Sequence, residues 1–164
     1  MPKVLAEGGR WLDMATTALL RGGCAEVVVV LGAAVVPVPA PARSVVNEDW
    51  ATGLGSSVRC ALSELRKTPA DLAVLHLVDL PDVGADVVRR VVAAAAATGI
   101  ARASYHGVPG HPLAVHRRHW SAMAAHARAD QGGRGWLQGR SDVVSVPCAD
   151  LATGVDRDTP ELLE

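Results

Sequence analysis

Ala73-Val74-Leu75-His76-Leu77-Val78-Asp79-Leu80-Pro81 is an apolar run that stops at a carboxylate and a proline. A stretch this short and this apolar, closed by a proline, reads as a buried strand that carries Asp79 to its C-terminal end. In open α/β sheets ligands collect outside the carboxyl ends of the strands, and a hard cation there takes oxygen ligands from Asp. Asp is equally favoured as the cap of a following turn, so the residue has two readings. His76, inside the apolar run, reads as a core histidine with its hydrogen bonds satisfied.

Outward from this strand, helices and strands alternate. Leu12, Ala15, Ala18 and Leu19 recur at helical spacing up to Gly22-Gly23. Val27 to Leu31 is β-branched and closed by Gly32, and Ser44 to Asn47 is a shorter strand after the prolines at 37, 39 and 41. Ser56 or Ser57 is expected to cap a helix whose apolar face is Val58, Ala61, Leu62 and Leu65. Val87, Val88, Val91, Val92 and Ala95 form the next helical stripe, ended by Gly99. Ala101 to Tyr105 and Leu113 to His116 read as strands around a turn at Gly107 to Gly110. Arg118 to Arg128 reads as a helix, Asp142 to Val146 as a strand, and Asp158-Thr159-Pro160-Glu161 as a helix start with acids at the positive dipole end. Alternation of this kind predicts an α/β layer structure with a mostly parallel sheet.

With 164 residues, one domain spanning 1–164 buries roughly 70% of its unfolded surface, enough for its own core. The 16 Lys and Arg nearly balance the 17 Asp and Glu, which argues against a broad nucleic-acid surface. Cys24, Cys60 and Cys148 are odd in number and widely spaced, so a reducing cytoplasmic setting is expected and a zinc site is not. No apolar stretch reaches the roughly 18 residues of a membrane span, and no charged-then-apolar leader opens the chain.

Asn47-Glu48-Asp49-Trp50-Ala51-Thr52-Gly53-Leu54-Gly55-Ser56-Ser57 puts a glycine-bearing loop between a strand end and a helix start. Such a loop offers backbone N–H groups and hydroxyls to a nucleotide, although glycine and serine before a helix also serve as an ordinary cap. Five segments in order, Asn47 to Arg59, Val78-Asp79-Leu80-Pro81, Gly110-His111-Pro112-Leu113, Asp130-Gln131-Gly132-Gly133-Arg134 and Asp156-Arg157-Asp158-Thr159-Pro160-Glu161, resemble the MobA-like nucleotidyltransferases of molybdenum cofactor biosynthesis.

The resemblance implies a three-layer Rossmann-like domain that binds a nucleoside triphosphate with Mg²⁺. It implies transfer of the nucleotidyl group to the terminal phosphate of a molybdopterin-type acceptor, with pyrophosphate leaving. Asp79 and Asp156 match the acids that hold the metal. Lys3 matches a lysine that approaches the phosphates, and with Asp79 it is the catalytic pair. Asn47, Gly53, Ser56 and Ser57 match the nucleotide loop, whose form is closer to cytidylyltransferases than to the guanine-binding Pro-Leu-x-Gly type. CTP is therefore expected ahead of GTP. Gly110, His111, Asp130 and Arg134 match segments on the acceptor side, although His111 between Gly and Pro also reads as structural. Asp158 is better placed as a helix cap. A homo-oligomer or a downstream molybdoenzyme chaperone is a further expected partner.

Family members open with a strand and a glycine-rich loop, Leu-Ala-Ala-Gly-x-x-x-Arg-Met-Gly, ahead of Pro-Lys, whereas this chain is numbered from Met1-Pro2-Lys3. The expectation is an N-terminally truncated domain whose central strand is missing, with unpaired backbone groups in the sheet and impaired activity. A guanylyltransferase, a sugar-phosphate nucleotidyltransferase and a non-catalytic nucleotide-binding remnant are the alternatives.

Overall fold

The structure, a computed structural model, describes residues 1–128 and 132–157. After a 3-10 segment at Lys3–Gly9, helix α1 (Arg10–Arg21) leads to β1 (Val28–Leu31) and β2 (Arg43–Val46). Helix α2 (Leu54–Arg66) then connects to β3 (Leu72–Leu75), and α3 (Ala85–Thr98) to β4 (Ile100–Tyr105). The chain continues through β5 (Val108–His116), α4 (Trp120–His126), α5 (Arg134–Leu137) and β6 (Val144–Pro147). The helix start expected at 158–161 lies outside the described residues.

The strands form two sheets, β1-β2 and β3-β5-β4-β6. Pairing is parallel in β1·β2 and β4·β6, and β5 alone runs against its neighbours β3 and β4. The reason is local. His106 and Gly107 both take positive φ, 50° and 80°, the signature of a two-residue hairpin turn, and a hairpin can only return antiparallel. The turn is thus tighter than the expected Gly107 to Gly110, and Val108 to Gly110 already belong to β5.

Each face of the larger sheet carries its own core. Val87, Val91 and Ala95 of α3 pack against Ala101, Ala103, Ala114 and Val146, the small strand residues letting the helix come close. On the other face Leu62, Trp120, Met123 and Trp136 cover Ala73, Ile100, Leu113 and Val115. Each fully buried large side chain contributes about 1.5–3 kcal/mol. Trp50 is half exposed and packs over Gly32.

Other expected boundaries shift as well. Helix α2 begins after Gly53, which is its N-cap, so Ser56 and Ser57 lie in its first turn and do not cap it. β3 ends at Leu75, and Asp79 stands in the turn beyond it. The stretch 118–128 divides into a 3-10 turn at Arg117–His119 and the shorter α4.

The two sheets do not pair with each other. A cleft of about 1140 Å³ lies between them, lined by Val27 to Val30 on one side and Leu72 to Val78 on the other. Leu12 and Leu19 of α1 and Val58 and Leu65 of α2 also line it. β1 and β3 are each the outer strand of their sheet here, so each presents a row of unmatched backbone donors and acceptors to an apolar space.

Candidate functional site

Two groups of candidate residues lie just past the ends of β2 and β3. Asn47 follows β2, and its backbone N–H continues the ladder to the Leu31 carbonyl at 2.7 Å. Its buried side chain donates to Ser56 Oγ at 2.8 Å and Ser57 Oγ at 3.2 Å, and accepts from the Asp49 N–H at 3.0 Å. Ser56 Oγ lies 2.8 Å from the Gly53 carbonyl and 3.0 Å from that of Asp49. Ser56 and Asn47 therefore brace the loop from inside. What the loop leaves open is the start of α2: Gly53, at φ 111° and ψ −179°, makes no side-chain cap hydrogen bond. That backbone conformation is open to glycine and strained for other residues.

Asp79 is buried, with 5% exposure, and forms an ion pair with Lys3 from the opposite end of the sequence. The Arg157 N–H donates to the Asp79 carbonyl at 3.0 Å, which fastens the C-terminal segment to the same turn and leaves Asp156, the preceding residue, exposed beside it. Lys3, Asp79 and the 156–157 backbone thus meet at one place. Among the described residues no cluster of three His, Cys, Asp or Glu side chains is built to hold a metal. One or two carboxylates completed by substrate phosphates and water suit Mg²⁺, which seldom occupies an all-protein cage.

Beyond the turn the cleft is lined by His76, Arg102, Gly110, His111 and Arg134. Burial pulls His76 down to about 4, with His111 adding to the effect and Asp79 opposing it. His111 is likewise lowered to about 4 by burial, then by Arg102, against Asp79. Both imidazoles are neutral near pH 7. The Tyr105 hydroxyl donates to the His111 carbonyl at 2.7 Å, and a Cβ on Gly110 would stand 2.9 Å from the Tyr105 ring, so Gly110 gives this aromatic its seat. Arg134 opens α5 and is exposed. Asp130 lies outside the described residues.

His76 is a correction to the sequence reading. Neither ring nitrogen has a hydrogen-bond partner among the described residues, and both are shut off from solvent. Arg102 was missed altogether. The signal available was an arginine in the middle of the otherwise small and apolar strand Ile100–Tyr105.

Comparison with known proteins follows the same lines. The chain is 32% identical over 175 residues to nicotine blue oxidoreductase of Paenarthrobacter nicotinovorans, covering 98% of this chain and 85% of that protein. Rv0371c from Mycobacterium tuberculosis H37Rv superposes with a TM-score of 0.75 at 26% identity, over 90% of this chain and 79% of the other. A structure of Rv0371c in complex with manganese gives 0.70 at the same identity, over 84% and 74%. The 2-C-methyl-D-erythritol 4-phosphate cytidylyltransferase of Thermus thermophilus, at 21% identity and a TM-score of 0.61 over 92% and 83%, shares the Rossmann-like fold. The model of the MobA-like NTP transferase domain matches residues 3–144, and the chain belongs to that family.

Proposed function

We propose that this nucleotidyltransferase domain moves CMP from CTP to the terminal phosphate of a molybdopterin-type acceptor, with Mg²⁺ and release of pyrophosphate, in the cytoplasm. The observation that carries the reading is the convergence of Lys3, Asp79 and the 156–157 segment just past the end of β3. We propose further that the cleft between β1 and β3 seats the strand that family members carry ahead of Pro-Lys.

An acceptor phosphate is already an anionic nucleophile, so the protein has only to position reactants and offset charge that grows on the α-phosphate. Lys3 places a compact positive charge at the phosphates, and Asp79 holds that ammonium in place. The positive end of α2 faces the nucleotide side, with Gly53 allowing close backbone approach. Asp79 and Asp156 would hold Mg²⁺, which supplies Lewis-acid stabilisation of the phosphoryl oxygens. Gly110, His111 and Arg134 stand on the acceptor side.

The test is pyrophosphate release from CTP, Mg²⁺ and molybdopterin, by residues 1–164 and by the same chain preceded by the family's strand and glycine-rich loop. CTP-dependent release by the longer chain supports the reading, and its absence there rejects it. GTP in place of CTP decides the base. The identity to nicotine blue oxidoreductase over almost the whole chain favours a second reading, oxidoreductase chemistry on a related dye. Bleaching of nicotine blue with a hydride donor, without any nucleotidyl transfer, would establish it.

A further inference from the structure

Arg102 lies in one row across the larger sheet with Leu113 of β5 and Leu75 of β3, on the face that the second core cluster covers. Its Nε is sealed from water without a partner, and its guanidinium makes no ion pair among the described residues. A half-buried charge left uncompensated in this way is costly. The same cleft presents His76, with both ring nitrogens unpartnered, together with His111 and Arg134. These groups are neighbours: Arg134 acts on Arg102, Arg102 on His111, and His111 on His76. Two guanidiniums that repel each other and two N–H-bearing imidazoles share one opening. The carboxylate nearest the imidazoles, Asp79, is engaged by Lys3.

We infer that Arg102, His76 and His111, with Arg134 at the rim, form a binding pocket for a phosphate monoester dianion. The charge matches: two cations face a dianion, whereas a single carboxylate would leave one guanidinium uncompensated. The donors match as well, because two guanidinium forks and two imidazole N–H groups exceed what a carboxylate can accept but suit three phosphate oxygens. Asp79 acts on both imidazoles, so a phosphate held there stands near the Asp79 turn. This assigns the acceptor's phosphate its seat, and for that biological role it rests on the proposed transfer reaction. Among the described residues neither Arg102 nor His76 has a side-chain hydrogen bond, so both keep donors open to a ligand.

Inorganic phosphate is the probe, titrated without nucleotide or metal, so that the outcome does not depend on whether CTP is turned over. The Arg102 Nε–Hε signal in an ¹⁵N-labelled sample, assigned by its loss in Arg102→Met, should shift on titration, while acetate at equal ionic strength leaves it in place. Arg102→Met should weaken phosphate binding about tenfold or more. The same variant should raise the Tm without phosphate by about 2–4 °C, because an unpaired guanidinium has been replaced by an apolar side chain. Arg134→Met, on the exposed start of α5, provides a second variant that keeps the strand intact and should weaken binding as well. Phosphate affinity unchanged in both variants, or an acetate response equal to that of phosphate, would overturn the pocket.

Discussion

At the scale of single residues, Asp79 joins burial to charge, and Lys3 compensates it across the sequence. Replacement by asparagine keeps the shape and removes the carboxylate. Asp79→Asn is expected to lower nucleotidyl transfer by about 100-fold or more, while stability changes by about 1 kcal/mol because Lys3 is part-exposed and turns to water. Parallel urea melts and pyrophosphate assays separate the two effects. The histidines carry a pH dependence whose direction follows from burial. His76 and His111 sit near 4 in the folded chain against about 6.5 when unfolded. Between those values the unfolded chain binds protons that the folded one refuses, so stability rises with pH through the window and is lost as pH falls. Asp79 opposes the shift of both, and Arg102 reinforces that of His111. By pH 5 the loss should be on the order of 2 kcal/mol per histidine, read as a fall in urea midpoint that is smaller in His76→Phe. A midpoint independent of pH from 7 to 5 would contradict this burial.

Elements meet through a few close approaches. A Cβ on Gly55, in the first turn of α2, would lie 2.8 Å from the Arg128 backbone nitrogen and 2.9 Å from its carbonyl carbon. Helix propensity alone would make Gly55→Ala stabilising by about 1 kcal/mol. Contact with backbone reverses the sign, and a net loss of about 1–3 kcal/mol is expected by chemical denaturation. Gly84→Ala, at the extended N-cap of α3 with open space around it, is the control and should stay within about 0.5 kcal/mol. At the far end of α2, Arg117 donates to the carbonyls of Arg66, Thr68 and Ala70, each at 2.8 Å, and lies over the Trp120 ring. Arg117→Met should cost about 2 kcal/mol by leaving these carbonyls without their cation.

On the scale of the whole molecule, the division into two sheets is the main consequence. Backbone groups of β3 alternate in direction, so those facing β5 are protected and those facing the cleft are not. Hydrogen exchange of residues 1–164 should therefore show slow and fast amides alternating along Leu72–Leu75. In a chain preceded by the family's strand, the fast set should slow and the Tm should rise. Uniform protection of β3 in residues 1–164 would reject the open edge.

Residue order alone was enough for the alternation of helices and strands, the stripes of α1, α2 and α3, and a carboxylate closing the apolar run of β3. Periodicity and punctuation by Gly and Pro are local properties. The motifs around Asn47, Asp79 and His111 were legible for the same reason, as short unbroken stretches. Tertiary structure decided what depends on distant partners. The closure of Lys3 onto Asp79, and the lack of a partner among the described residues for the nitrogens of His76 and the charge of Arg102, are facts about neighbours far apart in the chain. Whether a polar group in an apolar run is satisfied is settled only when packing brings, or withholds, its partner.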